Sequence, residues 1–241
     1  MRIQSQDIII LHGWNLSGDL FSSLCVLLQK KGFRVFAPDF PGFGKEPPPD
    51  RPWHVEDYAK FLAEYIQKKK IKNPILIGHS FGGRVALKFV ESNPSGAKKI
   101  ILTGAPGFSP IPSKKLMIFL MISKIGGLLF SLPGLRRKED EARKFLYKLA
   151  GAKEFLRAEG VMRQTFKYIV ADDLQSAMKS VRVPCHLVWG EKDVIVPLSV
   201  PKRMKLLIPL ASFTIIPGAD HGVPFQQPQV FFSAIHTFLK T

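Results

Sequence analysis

Short apolar runs recur along the chain and alternate with longer stretches in which apolar residues have a helical spacing. Each run is a continuous β-branched or apolar segment bounded by Gly, Pro, Asn or a charged residue, as is typical of a buried strand. The predicted strands are 7–11, 34–38, 74–78, 99–103, 185–190 and 212–217. Because unbroken hydrophobic strands are buried on both faces, the pattern predicts a mostly parallel sheet of about six strands.

Helical periodicity fills the connections between these strands. Apolar residues recur at three- and four-residue spacing over 19–31, 55–70 and 81–90, which indicates helices that bury one face. Strands that alternate with helices predict an α/β fold, in which helices cover both faces of the parallel sheet.

The alternation lapses between residues 108 and 180, where the pattern is helical only. We therefore predict a core formed by 1–107 and 181–241, with a helical lid, or cap, inserted at 108–180. An insertion at the carboxyl ends of the strands would cover the crevice in which such sheets bind ligands.

The apolar segment 116–132 is shorter than the roughly 20 residues of a membrane span. Docking of this segment on a lipid surface stays an alternative.

The net charge of +16 over 241 residues is unusually basic. Basic proteins attract nucleic acid, anionic lipid and acidic partners, but the sequence has no zinc-finger spacing and no aromatic-plus-basic RNA-binding signature. A solvated basic surface is therefore favoured, and no nucleic acid partner is expected.

Cys25 and Cys185 lie in apolar runs and imply no disulfide framework. The first residues lack the pattern of a secretory signal, which predicts a cytoplasmic location.

The stretch ILIGHSFGGRVAL, residues 75–87, contains the strongest candidate for chemistry. A serine on a tight turn from a strand into a helix crowds the residues two places before and after it, so glycines fit there. This predicts Ser80 as a nucleophile, with Gly78 and Gly82 as the glycines of the turn. The alternative is a glycine-rich helix start that merely needs room or that holds a phosphate.

A serine nucleophile needs a histidine base and a carboxylate that orients the base. Asp193 follows the predicted strand 185–190, and His221 follows the predicted strand 212–217. The order Ser80, Asp193, His221 is the one expected for a hydrolase built on this kind of sheet.

Other acidic residues and histidines compete for these roles. Glu191 is the best rival acid because it lies in the same loop as Asp193, and Asp220 is adjacent to His221. Two acids at the end of the predicted lid could also reach inward: Asp172 and Asp173. The histidines predicted to be structural or at the surface are His54, His186 and His236. His79 is adjacent to Ser80 but is expected to point away from its hydroxyl across the turn.

An oxyanion hole needs two backbone donors directed at the position where negative charge develops. The N–H of Phe81, the residue after the predicted nucleophile, is one candidate. The N–H of Trp14, in the loop after the first strand, is the other, because Gly13 permits a close turn there. The ring of Trp14 is also predicted to form a wall of the substrate pocket.

The chain resembles the α/β-hydrolase superfamily in five motifs that follow the family order over nearly its whole length. They are LHGW, APDFPGFG, GHSFGG, WGEKDVIVP and GADHGVPFQQPQVF. The resemblance implies the α/β-hydrolase fold, and it is greatest to small lidded serine carboxylesterases, including the methyl esterase that acts on pimeloyl carrier protein. The β-hairpin that usually precedes the first of these motifs is missing, so we expect a shortened sheet.

The resemblance and the triad together predict hydrolysis of carboxylic esters through an acyl-enzyme, with a small-molecule substrate and no metal ion or organic cofactor. Leu116, Phe119 and Leu120 in the lid, with Trp14, are predicted to line the pocket. They favour short-to-medium apolar acyl chains over charged or sugar substrates. A lactonase or a thioesterase with the same triad stays open, as does a slow-turnover ligand receptor on a hydrolase scaffold.

The predicted lid has fourteen Lys and Arg against seven Asp and Glu, a net charge of +7. A basic lid would suit an acidic carrier or an anionic lipid surface. A proportionate share of an already basic chain is the favoured explanation.

Overall fold

The strands of the protein form one sheet in which every neighbouring pair is parallel. The computed structural model describes residues 6–108 and 159–240. The strands are β1 (Asp7–Leu11), β2 (Arg34–Phe36), β3 (Ile75–His79), β4 (Lys99–Thr103), β5 (Cys185–Gly190) and β6 (Ala211–Ile216). Their order in the sheet is β2-β1-β3-β4-β5-β6. The predicted parallel sheet of about six strands is confirmed.

Helices cover both faces of this sheet. They are α1 (Ser22–Gln29), α2 (Val55–Lys68), α3 (Phe81–Ser92), α4 (Gly160–Ala171), α5 (Gln175–Ser180), α6 (Ser199–Leu207), α7 (Val223–Gln226) and α8 (Pro228–Lys240). One hydrophobic cluster joins the sheet to α2, α3, α5 and α6. A second cluster, on the other face, joins it to α1 and α8.

Burial on two faces explains why the strand sequences are apolar throughout. In β1, Ile9 and Leu11 belong to the first cluster, and Ile8 and Ile10 belong to the second. Successive side chains of a strand point to opposite faces, so every position of a central strand needs an apolar residue. The four side chains are at most 1% exposed.

Element ends differ from the sequence prediction mainly at the edge of the sheet. The strand predicted over 34–38 ends at Phe36, since β1 is its only neighbour among the described strands and the pairing covers three residues. The helix predicted over 19–31 begins as a 3₁₀ turn at Gly18–Phe21 before α1 starts. The helix predicted over 81–90 extends to Ser92.

Most of the predicted lid lies outside the described residues, so its boundaries stay a prediction. This also holds for the apolar segment 116–132. In 6–108 and 159–240, every helix is too short or too polar to span a membrane.

Asp39 joins the loops that follow β1 and β2. One carboxylate oxygen accepts a hydrogen bond from the N–H of Gly18 at 2.7 Å, and the other accepts from Lys45 N–H at 2.9 Å. Gly44 has a φ of +57°, and a Cβ there would overlap the Asp39 carboxylate. The turn from Asp39 to Gly44 therefore has a structural role.

Replacing Asp39 by alanine should lower the free energy of unfolding by about 1–3 kcal/mol, because two backbone N–H groups lose a charged acceptor. Urea unfolding followed by circular dichroism measures this change. The control is Asp19→Ala, which removes an exposed ion pair to the same Lys45 and should change stability by less than about 0.5 kcal/mol. Equal losses in the two variants would contradict the assignment.

Candidate active site

Ser80 lies on a strained turn between β3 and α3. Its φ is 51° and its ψ is −116°, a conformation that L-residues rarely adopt and that costs about 1–3 kcal/mol. The Ser80 N–H donates to the carbonyl of Thr103 at 2.9 Å, so the turn is anchored to the end of β4.

The two flanking glycines are required by contacts between backbones. A Cβ at position 82 would overlap the carbonyl oxygen of Leu11, and one at position 78 would lie 2.6 Å from the Cα of Gly83. At both positions a side chain would therefore displace neighbouring backbone.

His221 and Asp193 lie side by side, although they follow different strands. The distance from His221 Nδ1 to Asp193 Oδ2 is 2.8 Å. The other oxygen of Asp193 accepts from the N–H groups of Ile195 at 3.0 Å and Val196 at 2.8 Å. Because an ionised carboxylate only accepts, Nδ1 of His221 carries the proton in this pair. Nε2 of the neutral ring is then left as an acceptor.

The rival acids have other partners. Glu191 accepts from the N–H of Gly218, and Asp220 accepts from the N–H of Gly222, each at 2.8 Å. Asp172 accepts from Val55 N–H at 3.1 Å at the start of α2. Of the acids weighed from the sequence, Asp193 is the one that the structure brings to His221.

The rival histidines also lie in structural settings. His54 stacks on Tyr168 with ring centroids 4.4 Å apart. His186 is buried in β5, 2.6 Å from Ser212 Oγ. His236 contacts the ring of Phe232 on α8.

His79 supports His221, a contact that sequence reasoning missed. Its Nε2 lies 3.0 Å from the carbonyl oxygen of His221, and the two ring centroids are 4.8 Å apart. Burial, and secondarily the nearby His221 ring, lowers the pKa of His79 to about 3, so the side chain is neutral near pH 7. A neutral ring can donate Nε2–H to this carbonyl and thereby hold the His221 backbone.

His12 has a similar supporting role in the loop after β1. Its Nδ1 lies 2.8 Å from the carbonyl of Gly13, and its Nε2 lies 2.9 Å from the N–H of Phe40. The Phe40 N–H can only donate, so Nε2 accepts and Nδ1–H donates. Burial lowers the pKa of His12, which favours this neutral form. The ring fixes the loop that presents Trp14.

The N–H groups of Trp14 and Phe81 have no hydrogen-bond acceptor among the described residues. Phe81 is the first residue of α3, where an N–H has no partner within the helix. Trp14 is 6% exposed, and its ring meets Phe43, Phe81 and Phe166 edge-on at centroid distances of 4.7, 5.7 and 5.0 Å. The ring also lines a cavity next to Ser80.

Two cavities meet at Ser80. The first, of about 310 Å³, is lined by Ser80 and His221 together with polar side chains such as Lys192, Asp220 and Gln226. The second, of about 230 Å³, is bounded by Ser80 and by a mainly apolar wall. The wall includes Trp14, Phe81, Phe108, Phe166, Ile169 and Val170. The predicted pocket residues Leu116, Phe119 and Leu120 lie outside the described residues.

Gly104 leaves space for the His221 ring. It directly follows β4 and has a φ of +58°. A Cβ there would lie 2.6 Å from Cε1 and 2.8 Å from Nδ1 of His221, and 3.5 Å from Oδ2 of Asp193. No local motif indicates this role, because the contact joins segments that are far apart in the sequence.

The comparison with known families agrees with this geometry. The family model described as "Alpha/beta hydrolase family" matches residues 8–234. The chain belongs to the α/β-hydrolase family. The resemblance and the fold expected from the sequence motifs are therefore confirmed.

Several relatives of this α/β hydrolase match it over nearly their whole length. The AB hydrolase superfamily protein YisY of Bacillus subtilis is 27% identical over 250 residues, which cover 96% of this chain and 90% of that protein. A pimeloyl-[acyl-carrier protein] methyl ester esterase of Wigglesworthia glossinidia brevipalpis is 24% identical over 254 residues, with 98% and 94% coverage. These relatives support a general hydrolase activity.

A solved esterase from Exiguobacterium antarcticum has the same fold. It superimposes with a TM-score of 0.75 over 98% of this chain and 92% of that one, at 21% identity.

Replacing Gly104 by alanine should reduce kcat/KM for ester hydrolysis about a hundredfold, because a displacement of His221 by about 1 Å is enough for such a loss. The assay is initial-rate hydrolysis of p-nitrophenyl butyrate. Gly32→Ala is the matched control, since Gly32 also has a positive φ but nothing within 4 Å of its Cβ position. Alanine at a positive φ should cost each variant about 1–2 kcal/mol of stability, and Gly104→Ala should lose more because its Cβ also meets His221. An active Gly104→Ala would refute the role of Gly104.

The low pKa of His79 predicts acid sensitivity. The unfolded state binds a proton below about pH 6.5 while the folded state does so only near pH 3. The stability that the neutral form of His79 contributes is therefore fully present above about pH 6.5. It is lost as the pH falls, by up to about 1.4 kcal/mol per pH unit. His79→Gln should show a smaller slope between pH 6.5 and 4.5 in urea unfolding. Phe21→Leu, which alters a ring packed on His79, should keep the wild-type slope.

Proposed function

We propose that this α/β hydrolase is a serine hydrolase that cleaves carboxylic esters through an acyl-enzyme intermediate. The observation that carries the proposal is the 2.8 Å contact between His221 Nδ1 and Asp193 Oδ2, beside a cavity that Ser80 and His221 both line. A base held by a buried carboxylate next to a serine on a strained turn is the arrangement that activates a hydroxyl nucleophile.

In the proposed reaction, Nε2 of His221 takes the proton from Ser80 while Oγ attacks the ester carbonyl carbon. Asp193 keeps the Nδ1–H tautomer and stabilises the imidazolium that forms. The N–H groups of Trp14 and Phe81 donate to no acceptor among the described residues, so they are free to donate to the developing oxyanion. His221 then protonates the departing alcohol, and water releases the acid from Ser80.

The two cavities support different roles on the two sides of the scissile bond. The apolar wall around Trp14, Phe81 and Phe166 suits a short-to-medium acyl chain. The polar cavity next to His221 suits the alcohol, because His221 must reach the leaving oxygen. Lactones and thioesters present the same kind of carbonyl and would use the same residues. A cytoplasmic location and a partner at the basic lid stay predictions.

Removing any member of the proposed triad should abolish most of the turnover. On p-nitrophenyl esters from acetate to palmitate, Ser80→Ala and His221→Ala should lose at least about a thousandfold in kcat. Asp193→Asn should lose a comparable factor, because the amide favours the wrong tautomer of His221.

Glu191→Gln is the control for the acid, since the carboxylate of Glu191 binds Gly218 N–H in its own loop. It should retain most of its activity. Ser80→Ala with wild-type activity would rule out the serine mechanism. Turnover slower than one per hour by the wild type on every ester would favour a ligand receptor.

A further inference from the structure

Arg84 is a buried cation in the wall of the apolar cavity. It lies on α3 one helical turn after Ser80, is 2% exposed, and lines the same cavity of about 230 Å³. The remaining described wall is almost entirely apolar. A charged group in such surroundings is costly unless an opposite charge accompanies it.

The hydrogen bonds of Arg84 go to main-chain carbonyls and not to a carboxylate. One terminal nitrogen donates to the carbonyl of Pro106 at 2.5 Å, and the other donates to the carbonyl of Asp172. Its Nε–H meets no acceptor among the described residues. The ion pairs of the described residues do not include Arg84.

The carboxylates of Asp172 and Asp173 lie close enough to favour the charged form of Arg84, but their hydrogen bonds go to other groups. Asp172 binds Val55 N–H and lies 3.3 Å from His54 Nδ1, and Asp173 accepts from the N–H of Gln175 at 2.9 Å. The hydrogen bond from Arg84 to Asp172 goes to the main-chain carbonyl and not to the carboxylate. The two carbonyl bonds hold the guanidinium in place without neutralising it.

The position of Arg84 in its helix also disfavours a positive charge. It is the fourth residue of α3, close to the positive end of the helix macrodipole, where an anion is favoured and a cation is not. Burial lowers the pKa of Arg84 to about 10, so the group stays charged at pH 7. Two positive features therefore face one side of the cavity that starts at Ser80.

We propose that the acyl group of the substrate ends in a carboxylate that binds Arg84, so the substrate class is the monoester of a dicarboxylic acid. The apolar wall holds the methylene chain, and the guanidinium holds its far end. This inference rests on the proposed ester hydrolysis. It changes one expectation from the sequence, namely that an uncharged acyl chain is preferred.

The reaction balances without a further reactant. The bond between the acyl carbon and the alcohol oxygen breaks, and water supplies the oxygen that replaces it. In the net reaction, one proton of the water leaves with the alcohol, and the other is released when the carboxyl group newly formed at the cleaved ester ionises. The carboxylate on Arg84 takes no part in bond making and only positions the chain.

The test compares monoethyl adipate with ethyl 6-methylheptanoate, in which an isopropyl group replaces the carboxylate. Binding to Ser80→Ala is measured by isothermal titration calorimetry, and hydrolysis by the wild type is measured in a pH-stat. We expect the anionic ester to bind and react about 10- to 100-fold better. Equal or weaker binding of the anionic ester overturns the proposal. Because binding is measured without turnover, failure of ester hydrolysis alone is recognised separately.

Arg84→Met should remove this preference, and Lys88→Met is the matched control. Lys88 lies one turn further along α3 and pairs with Glu91 at 2.6 Å, so its loss removes the same charge away from the cavity. The control should keep the wild-type ratio of the two esters. A preference that survives in a folded Arg84→Met overturns the proposal.

A chain-length series tests the same point on the protein with Arg84 intact. Because two carbonyls hold the guanidinium in place, monoethyl esters of glutarate, adipate and pimelate should show a single optimum in kcat/KM. A steady increase with chain length, as apolar contact alone would produce, overturns the proposal even if Arg84→Met does not fold.

Discussion

The close approach of α3 to the sheet is the constraint on which the rest of the site depends. Gly82 lies against the carbonyl of Leu11, and Gly83 lies against the side chain of Ala105. A helix that starts this close to β1 and β4 forces the strained conformation at Ser80. Burial of nearly the whole of α3 offsets the strain, which is small compared with the free energy gained from such burial. Because β1, β3 and β4 are parallel, the loops that follow them lie at the same edge of the sheet.

Neutral histidines fill the space beneath that edge. His12 joins the loops after β1 and β2, and His79 joins the end of β3 to the backbone of His221. Burial lowers the pKa of both residues, so the site is stiffened by hydrogen bonds without buried cations there. The charged pair of the proposed mechanism can then form transiently at His221 and Asp193, where the carboxylate is already held by two backbone donors.

Arg84 differs from these two histidines because its buried side chain is charged. The two histidines are neutral, whereas the guanidinium is charged and, among the described residues, hydrogen-bonds only to carbonyls. Neutral rings therefore lie next to Ser80, and one helical turn further along α3 the cavity wall holds a fixed positive charge.

Local patterns were sufficient to predict the strands, the tight turn at Ser80, and the location of Asp193 and His221 in the loops after β5 and β6. Two-sided burial forces unbroken apolar strands, and the crowding at Ser80 acts on residues only two places away, so both leave a signal within a short window. The predicted lid and its pocket residues Leu116, Phe119 and Leu120 lie outside the described residues. Tertiary structure alone decided the contacts of His79 with His221 and of Arg84 with Asp172, whose partners are 142 and 88 residues apart. Such pairs depend on sheet order and on the paths of loops, which no local periodicity encodes.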